Sequence, residues 1–359
     1  LGTAVLPPLV AGGDWNYWIY TALSFLVMSC PCALVLSVPL AFFSGIGAGS
    51  KKGILFKGGV ALESMADVKA VVMDKTGTIT EGNFVLQKTV TVGNTDEDTL
   101  LRLAASCEQV STHPIANSIV TAAKEKGMEL THPSTLKEIA GEGILAVIDG
   151  NVILCGNKKL MEHHNINISA YNNEVFGTEV LVAIEGEYAG YLVISDTIKA
   201  DAKSAIAAIK KQNIVTAMLT GDAQNSAEAV AKETGIDEVH AKLLPQDKLS
   251  TLKKLRETYT SVMFVGDGIN DAPVLAGADV GAAMGSGADA AIEAADVVFM
   301  TSSMSAIPDA LRIAKSAVAI SWQNIIFALA IKIAVMILGL CGFASMWMAV
   351  FADTGVAML

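Results

Sequence analysis

Three short runs put acidic, basic and hydroxyl side chains where the strands of an open α/β sheet would end. Val68–Met73 reads as a strand and delivers Asp74-Lys75-Thr76-Gly77-Thr78. Val215–Leu219 ends in Thr220-Gly221-Asp222, and Ser261–Val265 ends in Gly266-Asp267-Gly268-Ile269-Asn270-Asp271-Ala272-Pro273. Between the last two, Leu244-Pro245-Gln246-Asp247-Lys248 opens a helix. A carboxylate at the carboxyl end of a parallel strand, followed by a tight glycine turn, sits where such sheets do chemistry. Each Asp-Gly or Gly-Asp pair alone marks only a turn, but the ordered set predicts a catalytic centre.

A second group of chemically active residues lies in apolar sequence. Cys30-Pro31-Cys32 falls within an uncharged stretch. Proline removes an intrahelical hydrogen bond and clashes with the preceding turn, so a helix opens there. A broken membrane helix is tolerated where its freed backbone lines a site, and thiols are soft ligands for Zn²⁺, Cd²⁺, Pb²⁺ or Cu⁺. The plain alternative is a pair of buried cysteines beside an ordinary kink. Lys332 and Asp353 flank a Gly-rich turn near residues 339–345 at similar distances. At about 1.5 Å per residue both stand roughly 16 Å from that turn, near the middle of a hydrocarbon core about 30 Å thick. Opposite charges at one depth on antiparallel helices are expected to be neighbours, and charges inside a membrane are functional by default.

The elements that must carry these groups follow from composition. The chain has 359 residues, 52% hydrophobic and only 17% charged, and the charge is unevenly spread. Residues 1–50 hold one charged side chain, Asp14, and residues 316–359 hold two, Lys332 and Asp353. A spanning helix needs about 20 apolar residues, so both ends are expected to form transmembrane hairpins. The first runs over residues 1–50; the second pairs Ser316–Leu340 with Phe343–Leu359. Lys51, Lys52, Lys57, Arg312 and Lys315 stand at one side of these hairpins, while the opposite turns carry no Lys or Arg. The positive-inside rule then faces the central block to the cytoplasm. A net charge of −11 argues against a nucleic-acid partner. Five cysteines without a disulfide pattern suit a reduced compartment. The chain opens and stops inside apolar runs, so a fragment of something longer is expected.

The Asp-Lys-Thr-Gly-Thr and Gly-Asp-Gly-Ile-Asn-Asp-Ala-Pro runs resemble those of the P-type ATPases over essentially the whole chain. The resemblance implies a haloacid-dehalogenase-like phosphorylation domain with an inserted α+β nucleotide-binding domain, between two transmembrane helical hairpins. The expected boundaries are 1–50 for the first hairpin, 51–83 and 189–310 for the phosphorylation domain, 84–188 for the insertion and 316–359 for the second hairpin. It further implies that Asp74 takes the γ-phosphoryl group of ATP. Thr76 would contact the phosphoryl group, Thr220 and Lys248 would hold its oxygens, and Asn270 would support it. Lys75, Gly221 and Asp222 belong to the same motifs. Asp267 and Asp271, with Asp74, would place Mg²⁺, which suits a cation that takes one or two carboxylates plus phosphate oxygens. Carboxylate and phosphate meet only if their charge is cancelled, so catalysis there is positioning plus electrostatics. Phosphatases of this fold carry an acid two residues after the nucleophile. Thr76 stands there instead, and without a local general base an aspartyl phosphate should persist.

Within the insertion, Glu108, Ser111, His113-Pro114, Gly141-Glu142-Gly143 and Gly156-Asn157 resemble the adenine-binding set of the heavy-metal branch, with glycines letting backbone approach a purine. His132, His163, His164 and His240 read as surface residues. Cys30-Pro31-Cys32 resembles the type IB subgroup, and Lys332 with Asp353-Thr354-Gly355 its Zn²⁺/Cd²⁺/Pb²⁺ members. Two thiolates and a carboxylate, offset by Lys332, match a divalent ion and would overcharge a Cu⁺ site. The family's actuator loop, Thr-Gly-Glu, does not occur in the sequence, so the fragment is not expected to complete a cycle. Expected alternatives are a Cu⁺ pump, a membrane-tethered phosphatase of the same fold, and a non-catalytic metal sensor. The primary expectation is a multi-pass protein of the plasma or inner membrane, using ATP to export Zn²⁺, Cd²⁺ or Pb²⁺.

Overall fold

The computed structural model describes residues 5, 9–10, 14–29, 32–93, 95–111, 113–172, 177–340 and 345–356. Among them two sheets organise the chain. The first has seven strands in the order β1-β13-β12-β11-β2-β9-β10. Its inner strands are β2 (Ala70–Asp74), β9 (Val215–Leu219), β11 (Val262–Gly266) and β12 (Val280–Met284). They pair in parallel with each other, with β13 (Val297–Phe299) and with the edge strand β10 (Glu238–His240). Only β1 (Ile54–Phe56) runs antiparallel, against β13. β2, Ala-Val-Val-Met-Asp, is buried at every position, as is β11. A strand covered on both faces reads as an unbroken apolar run, and the polar residue at its end is carried to the sheet's carboxyl edge.

The second sheet is antiparallel, in the order β3 (Thr80–Thr91), β8 (Glu187–Ile198), β7 (Thr178–Ile184), β6 (Asn151–Gly156), β5 (Gly143–Ile148), β4 (Thr135–Ile139). Its long outer pair joins the two halves. β3 leaves the turn after β2 and β8 returns beside it, registered from Thr80↔Ile198 to Thr91↔Gly190. Strands β3 and β8 reach four residues before and ten after the 84–188 range expected from sequence, because their pairing, with register shifts at Thr80/Phe84 and Leu86/Lys88, extends to the junction. Helices Glu97–Glu108 and Pro114–Glu125 cover one face through Leu100, Leu101, Ala104 and Ile119. Helix Lys158–His163 covers the other through Leu160 and Met161.

Apolar helices flank this block. Trp15–Ser29 and Cys32–Lys51 come first. The last long helix runs over 35 residues, Ala306–Leu340, and begins ten residues before the Ser316 start read from sequence. Its first turns bury Ile307, Ala310, Leu311, Ala314 and Ala317 in the same core as Met65 and Phe299. Further along, Ile320, Trp322 and Ile326 are exposed. The described part Ala306–Leu338 is long and apolar enough to cross a membrane, and Val35–Ser50 is a shorter apolar helix. Beyond Leu340 the described residues form a short helix, Met346–Val350, and a wider turn, Phe351–Gly355.

Helix Cys32–Lys51 lies along Ala306–Leu340, and Gly45 sets the approach. A Cβ at Gly45 would fall 2.8 Å from Ala317 Cβ and 3.0 Å from Leu62 Cδ1. Small residues let backbones approach in this way, and overfilling such a contact costs about 1–3 kcal/mol. Gly45→Val is expected to lower the thermal midpoint of the detergent-solubilised protein, read by tryptophan fluorescence. Gly47→Val, where a Cβ meets open space, is expected to leave it unchanged.

Candidate active site

Parallel pairing brings the strand ends together. β2 lies between β11 and β9, with Asp74 level with Leu219. Asp74, Thr220 and Asp267 therefore emerge side by side from neighbouring strand ends. Asp271 follows on a single 3₁₀ turn, Ile269–Asp271. Carboxylate oxygens of Asp74, Asp267 and Asp271 all lie within 4.8 Å of one another. Asp74 and Asp271 are 7% and 2% exposed.

Lys248 stands in the first turn of helix Pro245–Tyr259. Its Nζ donates to Asp74 Oδ1 at 2.5 Å and to Asp271 Oδ1 at 3.0 Å. Asp247 beside it accepts from the Leu244 N–H at 3.2 Å, which fixes the helix start. Burial, then the Asp271 carboxylate, raise the Asp74 carboxyl to about 6, against the pull of Lys248. Burial and Asp271 raise Asp267 too. Lys248 serves Asp74 and Asp271 while Lys199 lies beside Asp267, so three acids face two ammonium groups and a negative surplus remains.

The glycines of the first motif are steric necessities. Gly77 has φ +73°, and a Cβ there would lie 1.7 Å from Asp267 Oδ2, so the turn after Asp74 closes against the second carboxylate only with glycine. The remaining residues of the motifs surround this turn. Lys75 pairs with Asp222, and Thr220 Oγ1 accepts from the Asp222 N–H at 3.1 Å. Thr220 is buried, whereas Gly221 and Asn270 are exposed and Thr76 faces a cavity. Sequence reading passed over Lys199. It is 7% exposed, its Nζ donates to the Gly77 carbonyl at 2.8 Å, and it lies within the field of Asp267. Asp196, three residues earlier, accepts from the Thr80 hydroxyl at the sheet junction. The signal available was Asp196-Thr197-Ile198-Lys199 at the end of an apolar run, where the insertion must rejoin the first sheet.

A second cavity, of about 270 Å³, opens in the antiparallel sheet between Glu108, Ser111, His113, Gly141, Gly143 and Gly156. His113 caps helix Pro114–Glu125, its Nδ1 accepting from the Ile115 N–H at 3.3 Å. In the neutral ring that leaves the proton on Nε2. Cys155 donates to Glu108 Oε1 at 3.7 Å, and burial raises the Glu108 carboxyl to about 7. Gly143 and Gly156 face each other across β5 and β6. A Cβ on Gly143 would lie 2.3 Å from the Cys155 carbonyl oxygen, and one on Gly156 2.3 Å from that of Glu142. Their smallness is thus required by strand packing, whereas Gly141 (φ +75°) leaves open space at the cavity wall. His163 is exposed, as expected, and pairs with Glu142 at the cavity rim, 2.9 Å away, whereas His240 is half-buried beside Glu238 and not on the open surface. His132 and His164 are exposed. Thr178 lines both this cavity and the one at Lys75, Thr76 and Asp222, which links the two.

Of the membrane candidates, Lys332 is half-buried on its helix. Cys30 and the side chains of Cys32 and Asp353 lie outside the described residues.

A family model for haloacid dehalogenase-like hydrolases matches residues 68–279. The chain is 50% identical to the cadmium, zinc and cobalt-transporting ATPase of Bacillus subtilis (strain 168), over 99% of this chain and 51% of that protein. It is 47% identical to the zinc-transporting ATPase of Synechocystis sp., over 100% of this chain and 50% of the other. The chain spans about half the length of these curated relatives. A crystal structure of a zinc-transporting PIB-type ATPase in the E2.Pi state superposes with a TM-score of 0.88 at 36% identity, covering 99% of this chain and 59% of that one.

Glu108 supplies a test of the burial in this second cavity. A carboxyl raised from 4.5 to about 7 binds its proton more tightly in the folded state. Its contribution to stability is full below pH 4.5 and lost as pH rises through 7. Glu108→Gln, which cannot ionise, is expected to be more stable than the unmodified protein at pH 8, by roughly 1–3 kcal/mol. That gain should vanish near pH 4.5, as read by urea denaturation at the two values.

Proposed function

Since this chain belongs to the haloacid dehalogenase-like hydrolases and, within them, to the type IB P-type ATPases, we propose that the protein of which it is part uses ATP to export a soft divalent metal ion. The observation that carries this reading is Asp74 held by Lys248 among Asp267 and Asp271, with no acid two residues downstream. ATP would span the linked cavities, its base at Glu108 and His113 and its phosphates toward Lys75 and Asp222.

Asp74 Oδ would attack the γ-phosphorus, the bond to the β–γ bridging oxygen would break, and ADP would leave. An aspartyl phosphate divides one difficult transfer into two easier ones. The donor set fits Mg²⁺, since three carboxylates offering only oxygen stand together and the ion prefers hard oxygen ligands. Asp74, Asp267 and Asp271 would hold it, and when bound it would offset the charge of phosphate and carboxylate together. Lys248 keeps the nucleophile ionised despite its burial, and the Thr220 hydroxyl is within the same edge to donate to a phosphoryl oxygen. Thr76 can neither protonate a leaving group nor activate water, so the phosphoenzyme would last long enough to be discharged in a separate event.

Cys30, Cys32 and Asp353 would bind the exported ion, with Lys332 as counter-charge. The reading is supported by the transported metals that the relatives' names carry. The protein is proposed to be multi-pass, in the plasma or inner membrane, with both sheets facing the cytoplasm.

Acid-stable labelling of the full-length protein by γ-labelled ATP tests this. Label is expected with Zn²⁺, Cd²⁺ or Pb²⁺, and none with Asp74→Asn. Lys248→Ala is expected to lower the labelling rate by about 10²–10³-fold, the scale of losing one preorganised charge-stabilising group. Asp353→Ala is expected to abolish metal stimulation. Label that depends on Cu⁺ alone would reject the divalent assignment, and full stimulation of Asp353→Ala would remove that residue from the site.

A further inference from the structure

Where helix Ala306–Leu340 leaves the parallel sheet, it encloses a cavity of about 550 Å³ with helix Ala202–Lys210 and the turn after it. This is larger than the cavity at Glu108 and His113 or the one at Lys75, Thr76 and Asp222, each about 270 Å³. Ser204, Ala205 and Ala208 make room on one side, and Lys211, Arg312 and Lys315 bring positive charge to the rim. Asp309 also lines the cavity, but its carboxylate is already shared. It accepts from Lys52 at 2.7 Å and pairs with Arg312. Lys315 donates to a neutral group, Gln212 Oε1, at 3.4 Å. Gln212 in turn donates to the Pro308 carbonyl at 3.0 Å, which ties the two walls together. Lys69 is close enough to repel Lys315. In a chain of net charge −11 this is a local reversal of sign.

Its depth relative to a bilayer can be counted along the helix. Exposed large apolar side chains run from Ile320 to Leu338, a rise of about 27 Å, close to the hydrocarbon thickness of about 30 Å. Lys315 stands five residues before Ile320, so about 7 Å outside that layer, and the headgroup region is about 5–8 Å deep on each side. Arg312 stands nearly one turn farther out. Basic pockets at this level on spanning helices attract anionic headgroups.

We propose that the cavity bounded by Lys211, Arg312 and Lys315 binds the phosphate headgroup of an anionic membrane lipid. The phosphate oxygens meet the three cations, and the acyl chains follow the exposed Trp322 and Ile326, seven and eleven residues on from Lys315 and so on the same face of the helix, into the bilayer. A bound lipid would tie the parallel sheet to the membrane surface where the helix crosses from one to the other. The inference rests on the spanning reading of this helix and is independent of which ion is exported.

The test uses the full-length protein reconstituted in vesicles of phosphatidylcholine containing phosphatidylglycerol. Lipids retained after mild detergent extraction are then counted by native mass spectrometry. The unmodified protein is expected to retain phosphatidylglycerol over phosphatidylcholine. The K211Q/R312Q/K315Q variant is expected to lose that preference by about tenfold or more, as three cations near an anionic surface are neutralised. The charge-preserving K211R/R312K/K315R variant is expected to keep it, which separates loss of charge from loss of fold. Equal preference in the neutralised variant, or equal loss in the charge-preserving one, would overturn the proposal. So would displacement of the lipid by millimolar inorganic phosphate, which would make the cavity a site for free phosphate. Phosphorylation of Asp74, measured in parallel, reports on the transport reading separately.

Discussion

The ammonium of Lys248, set between Asp74 and Asp271, is the interaction on which the rest of the catalytic block depends. Three carboxylates within 4.8 Å repel one another, and burial makes each charge costlier still. One lysine offsets only part of that cost, which is why Asp74 stands near 6 although it is ion-paired. Such a pocket persists only if the surrounding structure holds its members in place. Fully apolar strands do this by fixing Asp74 and Asp267 at adjacent ends, and a helix start fixed by Asp247 presents the lysine. The residual negative charge is what the proposed divalent cation would offset.

The same constraint explains the chain's path. The sheet that carries Asp74 is interrupted directly after it, and β3 and β8 leave and return as one paired ribbon. Thr80 and Asp196 hold the base of that ribbon, next to Lys75, which faces Asp222. The cavity at Glu108 and His113 is thereby joined to the charged centre through a junction with only two strands. On the other side, helix Ala306–Leu340 continues from the core of the parallel sheet into an exposed apolar surface without interruption. One continuous helix therefore joins the sheet to the apolar half, and its packing against Cys32–Lys51 is set by Gly45 and Ala317.

Much of this centre was legible in the residues. Asp74 and Asp267 were readable because strands buried on both faces are apolar until they end, so the first charged residue marks the sheet edge. Gly77 was readable as a turn, although its contact with Asp267 was not. Lys248 was placed by family resemblance rather than by spacing, since 174 positions separate it from Asp74. Lys199 went unseen because a lone lysine after a strand carries no periodic signal. The early start of the last helix was hidden by Asp309, Arg312 and Lys315, which broke the apolar run that defined it by composition.

The sequence by itself determined the order of elements, the apolar ends and the identity of the acids, because these depend on local periodicity and residue type. Only the tertiary structure decided which acid shares which cation, that Gly143 and Gly156 serve strand packing, and that three lysine and arginine side chains gather over a cavity beside helix Ala306–Leu340. Those outcomes depend on distances between segments far apart in the chain. Strand order and helix packing set such distances, and no local pattern records them.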